Sequence, residues 1–557
     1  MRATAWDPLG RCGQGVQNQR HPQAVLPLTH WLLCPGWVGS LANGRVHKNW
    51  QPNAFNLSAR PSRPARLPAR ACHGSSGYSE TVTAEAQTSL QTFLAWAVAN
   101  GVEGIGTEES NIGLYEAVGG ERGVVCVKDV QCDEIVMRIP LSAGIIDYKE
   151  DEESNQLLYE GAPWSVRLAC KLLRLKSNGG GSPWSPYISV LPRKVPSVLQ
   201  RFEWEDIKEI EYGDLLRKLD YETWLVSYAW QRLDSAATGG ASRDEFEWAM
   251  SIVHSRTFGM AAKEGGVGCH MLLPLADMLN HAGDRVPGLF RCPYERMDNV
   301  EWKFQPSQLH PSDWELVVSA IRNIDKGEEV LLSYGERSND DFFLHYGFVP
   351  PHNPHDEVVL FGDLEEAVSW YFDNYLFQAG DDTSRQSLRE AALAAGLAAD
   401  TQQQQPLRLD GSADTEAGKI RVVAGSFVDG RLLEAFQVLG EGRGLGPVTA
   451  VQERCWDMLA EMASLEQDLS TLSQRESEHN FQYLAEFYTS AIGKYVEAGG
   501  THPNLQKSRG QKPSESVEGK PESTAAKPLT PASQAAITFR AYKKIILWDV
   551  ILGLARL

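Results

Sequence analysis

Two β-rich stretches separated by a long helix-patterned segment constrain this 557-residue chain most. The first, RGVVCVKDVQCDEIVMRIP, holds β-branched runs at Val124–Val127 and Ile135–Ile139. The turn-like KDVQCDE lies between them, so a hairpin is the natural reading. The second, ELVVSAIRNIDKGEEVLLSYG, reads as strand, turn, strand, with DKGE as the turn. Residues from about 165 to 260 look mainly helical, including DYETWLVSYAWQRL and RDEFEWAMSIVHSRTF. Ahead of both, SLQTFLAWAVANGV sets Leu90, Phe93, Leu94 and Ala97 on one helical face. The expectation is an α+β fold: a β-rich domain over 85–350 with a helical insert, then an all-α region over 351–557.

The C-terminal region carries helical patterning in LEEAVSWYFDNYLFQAG and CWDMLAEMASLEQDLSTLSQ, and FRAYKKIILWDVILGLARL also reads as amphipathic. Two low-complexity stretches, about 398–418 and 500–534, are expected to be disordered loops. No repeat of 20–50 residues is visible.

Charge divides the chain. Residues 1–79 hold nine Lys or Arg and a single acid, Asp7, leaving 44 basic and 71 acidic residues elsewhere, a net of −27. Such an acidic body repels a phosphate backbone, so nucleic acid is not an expected partner; a Lys-rich protein surface would be attracted. The Arg-bearing, Pro-spaced leader, with SARPSRPARLPARAC, is expected to be an organelle transit peptide. Ala24–Ala42 is uncharged but broken by two prolines, so no membrane span is expected. Nine cysteines without a CxxC pair fit a reducing compartment and give no structural zinc site.

Three constellations could carry chemistry. LPLADMLNHAGD leads an apolar run into Asp277, Asn280 and His281. Asp277 and His281 have the i, i+4 spacing of metal ligands, but no third ligand is near, and no G-x-S-x-G nucleophile exists for a His–Asp base. Polar anchoring at the end of a core strand remains open. EEVLLSYGERSNDDFFLHYGFVP ends a strand at Tyr334-Gly335, followed by an aromatic cluster. GGERGVVCVKD brings glycines to a strand without the helix that a dinucleotide fingerprint requires.

Taken in order, ERGVVCVKDVQCDEIVMRIP, SPWSPYISVLPRKVPSVLQRF, HSRTF, LPLADMLNH and GEEVLLSYGERSNDDFFLHYGFV resemble a SET-domain methyltransferase of the plant Rubisco large-subunit lysine methyltransferase group. The resemblance covers about Leu90 to Pro350. It continues more weakly to SQAAITFRAYKKIIL, which is similar to the end of that group's helical substrate-binding domain. It implies a SET domain of short sheets with a pseudoknot, and S-adenosyl-L-methionine as cofactor, with no metal. Gly120, Glu121, Arg122, Arg256, Asn280 and His281 would hold the cofactor, Arg122 being bulkier than the family's small residue there. Arg256, Asp277, Tyr334 and Tyr346 would meet the substrate, and Tyr334 would be catalytic.

The implied activity is methylation of a protein lysine, in Rubisco large subunit or another stromal protein, by a monomer in the chloroplast stroma. A mitochondrial or cytoplasmic site, a histidine target, and an inactive binding protein are the alternatives. Methyl transfer from a sulfonium is an in-line displacement, so alignment dominates; it can be worth roughly 7–11 kcal/mol. With a pKa near 10.4, about one lysine in 2,500 is neutral at pH 7, and a dry channel would raise that fraction. An unshifted tyrosine is a poor base at that pH, so Tyr334 is expected to orient the amine or methyl.

Overall fold

The computed structural model describes residues 84–107, 109–116, 122–147, 156–195, 197–198, 202–260, 269–285, 295–307, 313–376, 381–399, 418–424, 427–442, 445–474, 480–501 and 529–555. The expected leader, most of both expected loops, Gly120 and Glu121 lie outside these residues. The strands run β1 (Ile112–Glu116), β2 (Arg122–Cys126), β3 (Ile135–Pro140), β4 (Ile145–Asp147), β5 (Thr257–Met260), β6 (Cys269–Leu272), β7 (Asn280–His281), β8 (Asp284–Arg285), β9 (Glu295–Arg296), β10 (Val300–Pro306), β11 (Trp314–Ala320), β12 (Leu331–Leu332), β13 (Glu357–Phe361), β14 (Ile420–Val423) and β15 (Phe427–Val428).

The described residues form two compact units, the first being those within 1–142 together with Met278–Asn280 and Asn299–Leu331. Within it β11 pairs antiparallel with β10 on one side and with β3 on the other, and Leu331 and Asn280 continue the order β3-β11-β10-β12-β7. β1 and β2 form a separate hairpin, Ile112 opposite Cys126 and Glu116 opposite Arg122.

The expected β2–β3 hairpin is therefore not formed. Its connecting segment bonds elsewhere: Val130 N–H donates to Ile324 O, Asp133 N–H to Ala320 O, and Cys132 N–H to Asn323 Oδ1. Val124, Val136, Met137 and Ile139 are fully buried. Each strand thus gains more from its own long-range partner than a local turn would give. The DKGE turn is present, with Gly327 at φ +86° and Glu328 N–H donating to Asp325 O.

The second unit comprises Ala143–Asp277, His281–Asp298 and Leu332–Leu557. A three-stranded sheet, β4-β6-β5, lies beside helices from Trp164–Ser177 to Arg243–Arg256. The last of these starts at a capping box: Ser242 Oγ accepts from Glu245 N–H and the Glu245 carboxylate accepts from Ser242 N–H. Such a box satisfies two otherwise orphaned donors. It ends where Arg256 hands over to β5, so HSRTF is a helix end running into a strand.

LPLADMLNH is not one core strand. β6 ends at Leu272; Leu275 takes a left-handed φ of +74°, and Ala276–Met278 is a 3₁₀ turn. The turn buries Leu273, Leu275 and Ala276 while re-aiming the polar residues that follow.

Residues 351–557 are mainly helical but not all-α, because β13, β14 and β15 form an antiparallel sheet. The helix Pro531–Leu554 starts inside the stretch assigned to a loop. It is buried nearly all round rather than amphipathic: Phe539, Ile545, Leu547 and Trp548 are enclosed, and so are Arg540, Lys543 and Lys544. Buried cations need partners. Arg540 makes a two-pronged contact with Asp468 and also binds Glu209, while Lys544 contacts Asp468 and Ala463 O. Among the described residues, no helix is long and apolar enough to cross a membrane, and no cluster of metal-ligating side chains occurs.

Candidate functional site

In the first unit, Asn280 is locked from two sides. Its Nδ2 donates to Arg122 O at 3.0 Å and to Glu329 Oε1 at 2.8 Å, and Tyr115 Oη donates to the same Glu329 oxygen at 2.7 Å. Both neighbours of Nδ2 are acceptors, which fixes the amide orientation and uses both its hydrogens, leaving Oδ1 as the acceptor it can offer. Gly123 makes this possible. A Cβ there would lie 2.7 Å from the Tyr115 ring and 2.8 Å from both Asn280 Nδ2 and Glu329 Oε1. Arg122 contributes through its carbonyl, so its bulky side chain does not enter this arrangement.

In the second unit, Arg256 and Asp277 come together. Arg256 Nη1 donates to Asp277 O at 2.6 Å and lies 3.5 Å from Asp277 Oδ2. Tyr187 Oη donates to Oδ2 at 3.1 Å. Burial first, then the Asp277 charge, push the Tyr187 phenol well up, so it stays a donor. The Asp277 side chain is completely enclosed, with 0% exposure. A carboxylate in that position acts on its surroundings through Arg256. Arg256 Nε is buried with no hydrogen-bond partner among the described residues.

The same unit gathers His281 and the aromatic run after Tyr334. His281 Nδ1 accepts the Tyr334 N–H at 3.2 Å, which leaves the proton of a neutral ring on Nε2. Its ring lies 4.6 Å from Phe342 and 5.1 Å from Tyr334; Tyr334 and Tyr346 are 5.0 Å apart, and Phe342 and Phe348 5.4 Å. Gly335, at φ +101°, turns the chain out of the strand, and Phe342–Tyr346 is a π-helical turn closed by Gly347 at φ +73°. Such turns recur where side chains must be re-aimed. Burial raises the Tyr346 phenol above its ordinary value, so it is neutral at physiological pH.

Next to these aromatics is a stacked histidine pair. His254 and His345 lie 5.1 Å apart and 7° from parallel. Burial, then the charge of His254 and of Arg337 and Lys218, hold His345 well below its ordinary value.

Sequence reasoning missed Tyr115, Gly123, Glu329 and Tyr187. Gly123 could have been found, since a glycine inside a strand marks a close approach. Glu329 is disguised within the acidic turn sequence KGEEV.

Residues 121–335 match the SET domain family. The chain is 26% identical over 256 residues to the actin-histidine N-methyltransferase of Danio rerio, covering 43% of this chain and 39% of that protein. It is 26% identical over 296 residues to the chloroplastic ribulose-1,5 bisphosphate carboxylase/oxygenase large subunit N-methyltransferase of Nicotiana tabacum, covering 51% and 56%. Both matches span well under two thirds of the relative's length. A crystal structure of the SET domain of LSMT bound to lysine and AdoHcy superposes with a TM-score of 0.50 at 16% identity, covering 84% of this chain and 91% of that one. Residues 121–335 of this chain are thus a SET domain.

Proposed function

We propose that this protein is an S-adenosyl-L-methionine-dependent methyltransferase acting on a lysine side chain of another protein. The observation that carries the reading is the aromatic cluster of Tyr334, Tyr346, Phe342, Phe348 and His281, inside or directly after the SET match. Rings at these separations pack against one another into an apolar wall, against which a substrate side chain would lie. Burial there disfavours the ammonium form of an entering lysine and raises the share of reactive neutral amine.

The residues fit the cofactor by their chemistry. Taken one by one, in the first unit Asn280 offers Oδ1 to an ammonium group; in the second the unpartnered Arg256 Nε offers a donor to a carboxylate, and His281 keeps its assignment from the sequence. Arg122 serves through backbone, and Gly120 and Glu121 are assigned with it from the sequence. When bound, S-adenosyl-L-methionine supplies an electrophilic methyl group beside a positive sulfur. The aromatic faces of Tyr334 and Tyr346 suit a cation and exclude water. Asp277 fixes the Arg256 guanidinium through backbone and side chain, and Tyr334 orients the amine.

A protein histidine is the second reading, supported by the actin-histidine methyltransferase similarity at the same 26% identity. The charge pattern of residues 1–79 and the chloroplastic tobacco relative support a stromal protein substrate, Rubisco large subunit among the candidates. The domain limits 85–350 and 351–557 are retained with this reading.

The test is incubation with methyl-labelled cofactor and chloroplast stromal extract, then mass-spectrometric mapping of the labelled residue. Labelled lysine is expected, and labelled histidine would move the target to the second reading. Neither label nor cofactor binding by calorimetry would make this a binding protein. Tyr334→Phe should cut labelling by about 100-fold, the scale of a misaligned reacting group, with cofactor affinity nearly intact.

A further inference from the structure

A continuous hydrogen-bonded path runs from the helix Pro531–Leu554 to the backbone of Tyr334, entirely within the second unit. It starts at Lys543, whose side chain has 0% exposure. Its ammonium contacts the Asp340 carboxylate and donates to Asp356 Oδ1 at 2.7 Å and to Glu357 O at 2.7 Å. Asp356 in turn accepts from Asn339, through N–H at 3.0 Å and Nδ2 at 2.9 Å. Asn353 Nδ2 then bridges Asn339 Oδ1 at 2.9 Å and Arg337 O at 2.8 Å. Finally Arg337 Nε donates to Tyr334 O at 3.0 Å. Asn339, Asp340, Asn353 and Asp356 are all buried.

We propose that Lys543 is a positioning residue: through Asp356, Asn339, Asn353 and Arg337 it sets the orientation of Tyr334, and through Asp340 that of Tyr346. This rests on the reading of Tyr334 as the catalytic tyrosine. The segment Ser338–Gly347 carries both ends of the arrangement. Its start is clamped by Lys543, and its π-helical turn presents Phe342 and Tyr346 to Tyr334. A buried ammonium against two carboxylates is a costly way merely to hold a helix, since apolar residues of similar size commonly hold it as well. What it adds is direction: each member has a fixed number of donors and acceptors, so only one arrangement satisfies the chain. The helix that ends the C-terminal region thereby completes the catalytic loop, besides whatever it contributes to substrate binding.

Lys544 supplies the control. It lies on the same helix, is equally buried, and is paired with Asp468 and Ala463 O, contacts that among the described residues do not lead to Tyr334. The experiment compares full-length Lys543→Met, Lys543→Arg, Lys544→Met, Arg337→Met and Tyr334→Phe. Methyl transfer from labelled cofactor into stromal extract is measured at saturating cofactor, alongside the half-saturating cofactor concentration and S-adenosylhomocysteine affinity by calorimetry. Lys543→Met should lose turnover about 10-fold or more, with half-saturation and affinity within two-fold of the parent. Lys543→Arg should recover much of it, and Lys544→Met should stay within about two-fold despite a comparable loss of thermal stability.

Full turnover in Lys543→Met, or an equal loss in Lys544→Met, would overturn the proposal. If Lys543→Met does not fold, Arg337→Met decides, because that side chain is 43% exposed and its loss leaves the core intact. A several-fold loss there supports the path, and unchanged turnover refutes it. Full activity in Tyr334→Phe would instead remove the catalytic assignment itself, separating the two failures.

Discussion

Gly123→Ala tests the Asn280 anchor most sharply. The added methyl would lie 2.7–2.8 Å from three heavy atoms, against an ordinary contact of 3.4–4 Å. Each neighbour must therefore retreat by roughly 0.6 Å, and overpacking of this kind costs about 1–3 kcal/mol. Two of the three atoms, Asn280 Nδ2 and Glu329 Oε1, are bonded to each other at 2.8 Å. Parting them forfeits a hydrogen bond to a carboxylate, worth about 1.5–3 kcal/mol. If the Tyr115 ring alone swings aside, the loss stays near the first figure; if the amide also moves, it reaches about 2.5–6 kcal/mol. The second outcome should also weaken S-adenosylhomocysteine binding, because Asn280 Oδ1 moves with its amide.

Gly113→Ala is the matched control in the same hairpin, meeting one flexible contact, Val127 Cγ1 at 3.0 Å. Urea unfolding followed by tryptophan fluorescence gives the stability change, and calorimetry the affinity. A Gly123→Ala protein within about 0.5 kcal/mol of the parent, the range of ordinary surface changes, or one no worse than Gly113→Ala, would refute the reasoning.

Other consequences follow from the buried charges. Burial and the cationic neighbours hold His345 well below 6.5, so the folded state keeps it neutral while the unfolded chain protonates it. Its contribution to stability is present above pH 6.5 and is lost as pH falls below it, at up to about 1.4 kcal/mol per pH unit; His345→Gln should flatten the stability profile between pH 6.5 and 5. Asp214 behaves likewise at lower pH. Burial pushes its carboxyl up, but the Lys419 hydrogen bond and the charges of Lys218, Lys419 and Arg217 outweigh that and hold it below 3.8. Its stabilisation is present above pH 3.8 and disappears below it, and Asp214→Asn should remove that part of the acid limb. Arg540→Met strands the enclosed Asp468 beside Lys544 and should cost about 3–5 kcal/mol in denaturant unfolding. Fusing residues 1–79 to a fluorescent reporter should direct it to chloroplasts, and a cytosolic signal would remove the leader from the proposal.

The β-rich runs, the helical insert and the Tyr334 turn were legible because each is a local pattern of β-branched residues, glycine or helical period. Pairing was not. The KDVQCDE segment looks like a hairpin turn until its amides are traced to residues 320–324. Asn280 and His281 stood out as polar residues after an apolar run, but their fixing partners did not. Glu329 and Tyr115 are 214 residues apart in sequence and meet only when the unit is formed. Lys543 looked like the polar face of an amphipathic helix. Its carboxylate partners lie 187 and 203 residues away, and no periodicity within the helix can announce them.

That separation also sets a schedule for synthesis. Once Asp356 has been added to the growing chain, another 187 residues must follow before Lys543 exists to neutralise it and Asp340. At about 5–20 residues per second this is roughly 10–40 s. Throughout that interval the segment after Tyr334 must keep two carboxylates in water and its aromatic rings unburied. The ring cluster around Tyr334 is then a late product of translation rather than an early folding nucleus, and apolar surface exposed for so long is what chaperones bind.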